Sequence, residues 1–404
     1  MQLVEQHNLK GKQWKEADDL CFRSKNLYNL GLYHVRQHFF EKESYLNYNQ
    51  LDKLLQSTEA YKSLPAKVSQ QILIQLDRNF RSFFNALQSW KTDPSKFTGK
   101  PRIPGYKDKT KGRNLAVFTD QAISKRLLKK FKIAKLSKTE IAIHTLKENI
   151  NQVRIVPTST GGYVAEIVFE QEPVKAATDS KKHLSIDLGV NNLLAMTSDQ
   201  KDFQPLLVSG GAGKSINQWF NKQRSKMQEQ LNPEQAVSKA ILRLTQKRNR
   251  KIRHLFHQVS RFVVQTAIEH GIGTIVIGKN KEWKQEVNLG KRTNQNFVSL
   301  PFNQLIQQID YKSELVGIKV HLQEEAHTSK CSALDLESVE HHENYLGKRV
   351  KRGLFKTAEG ILLNSDVNGS CNIMRKHLKK EFQKSSENWI EAIVVWPKRM
   401  VFQA

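Results

Sequence analysis

The amino-acid sequence predicts a multidomain α/β protein, in which a sheet flanked by helices follows a small β-barrel that helices interrupt. Apolar residues recur at helical spacing over much of residues 12–90. Residues 115–175 change to short alternating segments, which are typical of strands. From residue 181, three apolar strand segments precede helices that alternate with further strands. The length of 404 residues suits about two or three such domains.

The first region contains two helical stretches and a basic segment. One helix or two cover 12–47, and another begins after Pro65 and runs to about Trp90. Proline and glycine end it in the stretch 94–113, which either cradles a phosphate backbone or is a solvated linker. The candidate phosphate-binding side chains of this stretch are Lys100, Arg102 and Lys107.

The β-rich region should form a small barrel or sandwich. Its alternating segments are 115–119, 131–134, 140–145, 152–158 and 163–170. We expect residues 1–10 and 105–178 to form this domain, with 11–104 as a helical insert.

The second half should contain one α/β domain over 179–378, with 379–404 as a C-terminal tail. Its predicted strands are 183–190, 192–198, 205–210, 274–278 and 319–325. Its predicted helices are 214–230, 236–270, 302–316 and one that begins near Asp366. This succession is the order of an RNase H-like sheet.

The charge balance indicates a polyanionic partner. Sixty-five Lys and Arg oppose 39 Asp and Glu, which leaves a formal net charge of +26. Such an excess repels itself unless a partner such as nucleic acid neutralises it. A short ribosomal protein or a chromatin tail would also be basic, but the 38% hydrophobic content and the long patterned segments disfavour both.

The three cysteines, Cys21, Cys331 and Cys371, are far apart and form no C-x-x-C pair. This pattern argues against a disulfide framework and a four-cysteine zinc site, and it favours a reducing, intracellular compartment. Residues 1–12 are polar, without an apolar signal region, and no apolar run approaches ~20 residues.

Asp187 is the strongest candidate for a metal ligand. It follows Leu184, Ser185 and Ile186, so a carboxylate lies within an otherwise buried strand. An ionised carboxylate is costly to bury unless a cation or hydrogen bonds compensate it. The alternative is an Asp that starts a turn at the end of the strand.

Asp366 would lie at the N-terminus of the last helix, with Asn368 and Asn372 on one side. Alone it would be read as an ordinary N-cap. Together with Asp187 it suggests a paired carboxylate site for divalent ions that act on a phosphodiester.

Such a site needs a third acid, and Glu324 and Glu325 end the predicted strand 319–325. Ligands gather at strand ends on one edge of an α/β sheet. Adjacent residues point to opposite faces, so only one of the two is expected to reach the metal. Both stay candidates for the catalytic acid, with Glu325 taken as the metal ligand, and a solvated strand end is the alternative for either.

A basic run lies on the predicted helix 236–270 and cannot all face a protein core. It is a solvated face or a surface that contacts nucleic acid. Its cations are Lys247, Arg248, Arg250, Lys251 and Arg253.

Nearly the whole chain resembles the TnpB (OrfB) proteins of bacterial insertion sequences. In the second half the matching segments are SIDLGVNNLLA (185–195), TIVIGKNKEWKQ (274–285), NQNFVSLPF (294–302), EEAHTSKCSALD (324–335), GKRVKRGLF (347–355) and SDVNGSCNI (365–373). In the first region they are LCFRSKNLYNLGLY (20–33), LPAKVSQQIL (64–73) and FTGKPRIPGYK (97–107). The combination is specific, whereas any single segment would be weak.

The resemblance implies an RNA-guided DNA endonuclease related to the type V CRISPR effectors. It implies a wedge-like β-barrel, an inserted helical recognition domain and a RuvC-like nuclease domain that cuts DNA with Mg²⁺ or Mn²⁺. Asp187 matches the first catalytic Asp and Asp366 the last. The implied partners are a guide RNA made from the transposon end and double-stranded target DNA, in the bacterial cytoplasm and with one protein copy per RNA.

Two departures from the family pattern matter. The usual catalytic Glu falls at Gly278, with Glu282 nearby but beyond the predicted strand, so we expect Glu324 or Glu325 to supply the missing carboxylate. The zinc knuckle of many members is reduced to Cys331 with His341 and His342, and we expect no structural zinc. An irregular basic loop, 347–353, takes its place and contributes the candidate nucleic-acid contacts Lys348, Arg349, Lys351 and Arg352.

Three functions therefore remain open. The leading one is RNA-guided DNA cleavage. Gly278 keeps open a nuclease-inactive regulator that binds guided targets. An autonomous transposase or a transposase accessory protein is weaker, because no His-hydrophobe-His motif with a helical Tyr is present.

Overall fold

The computed structural model describes residues 1–42, 44–232, 235, 237–279, 300–351, 353–378 and 396–403. The chain divides into two compact units, Met1–Gln171 and Glu172–Ala404. Within the described ranges, no helix combines the length and the apolar character that are needed to cross a bilayer.

Unit 1 contains a four-stranded antiparallel sheet, in the order β1-β6-β5-β2, and a separate β3-β4 pair. The strands are β1 (Gln2–Asn8), β2 (Ala116–Thr119), β3 (Ile133–Lys135), β4 (Ala142–His144), β5 (Ile150–Pro157) and β6 (Tyr163–Glu170). The predicted alternation is present in β6, where Tyr163, Ala165 and Ile167 are buried. The N-terminal strand β1, which no pattern predicted, pairs with β6 along its whole length. Closure of these strands into a barrel, with the helices as an insert, stays a prediction.

The helices of unit 1 are α1 (Gly11–Lys42), α2 (Tyr48–Leu55), α3 (Glu59–Lys62), α4 (Ala66–Thr92) and α5 (Lys125–Phe131). The stretch 12–47 thus contains one long helix, and a short second helix begins directly after this stretch. Asn47 begins α2 with a capping box, because its side chain accepts from the Gln50 backbone while Gln50 bonds back to the cap. Pro65 stands at the N-cap of α4, close to the predicted start.

The second half of the basic stretch 94–113 is held against α1, so this part is not a free linker. Asn29 bonds both the backbone N–H and the carbonyl of Lys107, at 3.0 and 2.8 Å. The ammonium of the buried Lys25 donates to the carbonyl of Lys109 at 2.6 Å. These side chains hold the backbone of the stretch against the helix, while Lys100 and Arg102 stay exposed.

Unit 2 is built on a six-stranded sheet with the order β11-β10-β7-β8-β9-β15. The β7–β8 and β8–β9 pairs are antiparallel, whereas β10 is parallel to both β7 and β11, and β15 is parallel to β9. Strands β12, β13 and β14 form a second, separate antiparallel sheet in that order. The strands are β7 (Asp179–Leu188), β8 (Asn192–Ser198), β9 (Leu206–Ser209), β10 (Ile272–Gly278), β11 (Lys319–Gln323), β12 (Lys348–Lys351), β13 (Leu354–Lys356), β14 (Leu362–Asn364) and β15 (Lys398–Met400).

The helices of unit 2 lie close to their predicted positions. They are α6 (Gly211–Glu229), α7 (Lys239–Glu269), α8 (Phe302–Glu314) and α9 (Ser365–Leu378). One face of the sheet packs on α7 and α8: Leu184 and Ile186 of β7 share a buried cluster with Phe256 of α7 and Leu305 of α8. On the other face, Ala195 of β8 shares a cluster with Val367 and Cys371 of α9. The central strands are therefore covered on both sides.

Two sequence predictions need correction here. The segment 347–353 is not irregular, because Lys348–Lys351 forms β12 and pairs with β13 around a register shift. The stretch 379–404 is not simply a tail, since Lys398–Met400 adds an edge strand parallel to β9. Both strands are short and charged, so local hydrophobic pattern carries no signal for them.

An ion pair joins three distant parts of unit 1. Asp18 of α1 accepts hydrogen bonds from Nε and Nη2 of Arg113, at 2.8 and 3.1 Å, and from the hydroxyl of Tyr163 in β6. The bonds from Arg113 and Tyr163 lower the pKa of Asp18 below its ordinary 3.8, although burial opposes them. Bidentate, partly buried pairs of this kind are the stronger ones.

Replacing Asp18 should destabilise unit 1. We expect Asp18→Asn to lower the free energy of unfolding by about 1–3 kcal/mol near neutral pH. The lowered pKa of Asp18 makes its contribution complete above the ordinary value of 3.8, and the contribution is lost as the pH falls through the folded-state value. Urea unfolding of full-length protein near neutral pH and in acid would measure this difference.

Asp19→Asn is the matched control, because Asp19 pairs with Arg23 on the exposed side of the same helix. Its effect should stay below about 1 kcal/mol. Equal stability of the two variants at neutral pH would contradict the role given to Asp18.

Candidate functional site

Hydroxyl groups dock α9 onto the centre of the sheet of unit 2. Ser185 of β7, Thr197 of β8 and Ser370 of α9 form a buried triangle with Oγ–Oγ1 and Oγ–Oγ distances of 2.7 to 3.0 Å. Ser370 also contacts the backbone carbonyl of Ser185 at 3.1 Å. Because these bonds connect groups of fixed position, they set where α9 lies along β7.

Asp187 follows on the same face of β7 and meets α9 at Gly369. Leu184, Ile186 and Leu188 point to the main core, so strand alternation directs Ser185 and Asp187 to α9. A Cβ at position 369 would lie 2.8 Å from Oδ2 of Asp187. Only glycine therefore lets the helix approach the carboxylate this closely.

Asp366 lies in the first turn of α9 but is not its N-cap. The side chain of Asn364 caps the helix by accepting from the backbone N–H groups of Asp366 and Val367, at 2.9 and 3.2 Å. The N-cap alternative for Asp366 is therefore wrong. Its Oδ2 instead accepts from Nδ2 of Asn192 at 2.7 Å, and its Oδ1 lies 3.7 Å from Nη2 of Arg349.

Gly278 ends β10 beside Asp187 and leaves room for Glu325. Ile277 pairs with Ile186 in parallel register, so the next positions, Gly278 and Asp187, are neighbours. A Cβ at 278 would lie 2.8 Å from Oε2 of Glu325 and 2.4 Å from Cδ1 of Ile373. The carboxylate of Glu325 thus lies where a side chain at 278 would begin.

Glu324 and Glu325 diverge after the end of β11. Glu324 accepts from the ammonium of Lys376 at 2.7 Å, and its side chain is 54% exposed. Glu325 is half-buried and turns toward Gly278. Glu282, the other candidate for the third acid, lies outside the described residues.

The three carboxylates Asp187, Glu325 and Asp366 interact electrostatically. Burial raises the pKa of Asp187 well above its ordinary value, and the charges of Glu325 and Asp366 raise it further. The guanidinium of Arg349 and a backbone hydrogen bond from Leu188 act in the opposite direction. Repulsion of this kind is relieved when a cation binds between the acids.

The donor set suits a hard divalent cation, because Mg²⁺ and Mn²⁺ prefer carboxylate oxygens. Among the described residues, no three His, Cys, Asp or Glu side chains are already gathered as metal ligands. The hydrogen bond from Asn192 and the ion pair with Arg349 hold Asp366 instead.

Asn368 and Asn372 are buried and do not face the carboxylates. Asn368 bonds the backbone of Ala333 and Cys331, and Asn372 bonds the carbonyls of Thr328 and Cys331. They anchor the segment that follows Glu325. The expectation that Cys331, His341 and His342 hold no structural zinc stays a prediction.

The predicted nucleic-acid residues differ in their surroundings. Arg248 is partly buried between α6 and α7, where its Nε donates to Asn217 at 2.9 Å. The ammonium of Lys247 is exposed and lies 5.2 Å from the ring centroid of Trp219. Exposed as well are Arg250, Arg253, Lys348, Arg349 and Lys351, whereas Lys251 and Lys107 are half-buried. Arg352 lies outside the described residues.

Asn192 is a site residue that no sequence pattern identified. It begins β8 immediately after the turn that follows Asp187, and it is buried. Its Oδ1 accepts from Nη2 of Arg399 in β15 at 3.4 Å, while its Nδ2 holds Asp366. A polar residue at a strand start normally signals only a turn, so its partner 174 residues away could not be inferred locally.

Two family profiles match the second half of the chain. The OrfB_IS605 family, described as a probable transposase, matches residues 166–284. The Cas12f1-like TNB domain matches residues 302–373. Together these segments contain Asp187, Gly278, Glu325 and Asp366.

Two curated proteins and one solved structure are similar to most or about half of the chain. A TnpB-like protein, ORF457 of Acidianus two-tailed virus, is 25% identical over 91% of this chain and 84% of its own length. The CRISPR-associated endodeoxyribonuclease Cas12f1 of Sulfoacidibacillus thermotolerans is 28% identical over 54% of this chain and 51% of its own. A Cas12f1–sgRNA–target DNA complex contains a chain with the same fold, with a TM-score of 0.55, 15% identity and coverage of 89% and 83%.

The profiles, the relatives and the shared mixed α/β fold agree with the segments that first suggested the family. They cover both the part of the chain that contains Asp187 and the part that contains Asp366. These similarities support a protein of the TnpB family.

Proposed function

We propose that this protein is an RNA-guided, divalent-metal-dependent DNA endonuclease encoded by a transposable element. Its RuvC-like site would consist of Asp187, Glu325 and Asp366. The observation that carries the proposal is the position of the Glu325 carboxylate, which takes up the space beside Gly278 and acts electrostatically on Asp187. The likeness to the TnpB family and to Cas12f1 supports the same function.

Each of the three acids would hold Mg²⁺ or Mn²⁺ through carboxylate oxygens. When bound, such ions activate water and stabilise the leaving oxygen of a phosphodiester. The protein's own contribution is to fix the ligands. Strand β7 holds Asp187, Asn192 orients Asp366, and the gap at Gly278 receives Glu325. Because the three acids are not gathered as metal ligands in the described part of the chain, binding of an ion would have to draw them together.

The nucleic-acid partners follow from the family and the charge. We propose a guide RNA from the transposon end and double-stranded target DNA as the polyanions that the net charge of +26 requires. The exposed cations of α7 and β12 would contact phosphates and so read backbone shape, while base pairing reads sequence. Arg248 would stabilise the α6–α7 pair instead.

A nuclease-inactive regulator is the second candidate, and Gly278 is the observation that favours it. The position of the Glu325 carboxylate beside Gly278 weighs against an inactive regulator, because Glu325 would supply the third acid that Gly278 lacks. A transposase accessory protein without cleavage activity would leave the clustering of the acids unexplained.

Loss of Asp187 should abolish cleavage. We expect Asp187→Ala to lower the cleavage rate by about 10³-fold or more, because a metal ligand contributes several kcal/mol to transition-state stabilisation. The measurement is nicking and linearisation of a target plasmid with Mg²⁺ and RNA transcribed from the 3′ end of the gene. Target binding by Asp187→Ala should persist. Binding without any cleavage by the wild type would overturn the nuclease and favour the regulator.

Glu325→Gln and Glu324→Gln are a matched pair of variants, because each replaces a carboxylate with a neutral amide of nearly the same size. We expect the first to lower cleavage by about 10²-fold or more, since it removes a charge beside Asp187. The second should change the rate by less than about 3-fold, because its ion pair with Lys376 is exposed. The reverse order, or a wild-type rate in both variants, would show that the third acid lies elsewhere, with Glu282→Gln as the next variant to assay.

Asn192→Ala tests the orientation of Asp366. We expect a loss of about 10- to 100-fold at low Mg²⁺, which higher Mg²⁺ restores in part, because the ligand is present but no longer held. Asn191→Ala is the control, since Asn191 bonds Lys214 and not an acid of the site. A loss that Mg²⁺ does not restore would point to a folding defect rather than to orientation of a ligand.

A further inference from the structure

The two oxygens of Asp366 have partners of different kinds. The hydrogen bond from Asn192 is short, at 2.7 Å, and its donor residue is buried. The contact with Arg349 is longer, at 3.7 Å, and the arginine side chain is 52% exposed. The first partner is neutral and fixed, whereas the second is a charged group that can leave without exposing a buried donor.

Arg349 also has an anchor of its own beside the site. Its Nη2 donates to Oγ of Ser365 at 2.9 Å, and Ser365 is the residue before Asp366. The charge of Arg349 reaches Asp187 as well as Asp366. The same guanidinium thus offsets two of the three acids. Lys348 and Lys351 of the same strand are exposed. Within the described part of the chain, the ion pair with Asp366 is made by Arg349 and not by either lysine.

A guanidinium and a divalent cation cannot neutralise the same carboxylate at full strength. Arginine stays charged at any working pH and has no lone pair to donate to a metal, so it cannot become a ligand. A dication at Asp366 would therefore repel the guanidinium and take over its electrostatic role.

We propose that Arg349 is the exchangeable counter-cation of the metal-free site. It offsets Asp366 and Asp187 while no divalent ion is bound, and it turns away from Asp366 when one binds. The bond to Ser365 keeps it at the rim of the site during this exchange. The inference rests on the proposed function, and it assigns Arg349 a role before nucleic acid arrives. Arg349 is a positioning residue in this role, since it acts through the acids.

Exchange of this kind predicts competition between Arg349 and the metal. Removing the guanidinium should leave the acids more strongly repelled without metal and more receptive to it. The full-length, RNA-free protein should therefore be compared with Arg349→Gln by thermal unfolding at increasing MnCl₂ after treatment with EDTA. Ligand that binds only the folded state raises the unfolding temperature in a way that yields its Kd.

We expect Arg349→Gln to unfold at a lower temperature without metal and to bind Mn²⁺ about 3-fold or more tightly, which is the scale of a half-exposed ion pair. Lys351→Gln removes the same charge from the same strand and should keep the wild-type Kd. Arg349→Lys should lie between the two. Asp187→Ala should abolish most of the Mn²⁺ response, which shows that the response comes from this site.

Three outcomes would overturn the inference. Equal Mn²⁺ affinities in Arg349→Gln and Lys351→Gln would show a general charge effect. Weaker binding in Arg349→Gln than in the wild type would show that Arg349 supports the ions rather than replaces them. No Mn²⁺ response in any variant, the wild type included, would remove the metal site and the proposed function together. The first two results leave the endonuclease proposal intact, so the two failures are distinguishable.

Discussion

The close approach of α9 to β7 is the constraint on which the candidate site depends. A helix can lie this near a strand that carries a carboxylate only if it presents glycine there, and Gly369 meets Asp187 at that point. The hydroxyl triangle of Ser185, Thr197 and Ser370 fixes the helix at the very next residue, Ser370. With the helix so placed, Asp366 lies in its first turn next to Asp187. The core packing of unit 2 and the chemistry of its acids are thus two results of one contact.

The same contact explains why the third acid comes from another strand. Ile373 of α9 takes up the space that a side chain at 278 would need, with 2.4 Å between Cδ1 and a Cβ at that position. A glutamate at 278 would therefore require a smaller residue at 373 and a different place for Glu325. The three positions form one steric unit, and a change at one of them alone would be costly. The glycine at 278, where the family usually has a catalytic Glu, is therefore weak evidence that the nuclease site is inactive.

Sequence reasoning found the features that periodicity encodes and missed those that depend on tertiary contacts. The predicted bounds of β8 are those of the structure, whereas the choice of Asp187 and Asp366 from their local settings stays a prediction of their role. The N-cap that was the alternative role for Asp366 belongs to Asn364, since both residue types are good caps and only the start of α9 decides between them. Residues 1–10 were assigned to the β-rich domain, but no strand was named there because no residue of β1 is buried and most are polar. Asn192 and Arg349 acquire their roles from a turn and a small sheet that bring distant segments together, and no local pattern reports such contacts.

The opposite side of α9 adds the last link between fold and site. Asn368, Asn372 and Arg375 bond the backbone of the segment 328–333, and within that segment's continuation Glu337 accepts from the backbone of Ser332 and Leu346 at 2.6 and 2.9 Å. Buried N–H and C=O groups must be paired, and here buried side chains supply the partners. Glu325 lies shortly before the segment, and β12 begins shortly after Leu346. Helix α9 therefore holds the backbone that lies between Glu325 and Arg349. The positions of the acids and of the cation that offsets them thus depend on the same helix. If Arg349 exchanges with a cation as proposed, this arrangement would let its guanidinium move while the carboxylates stay in place.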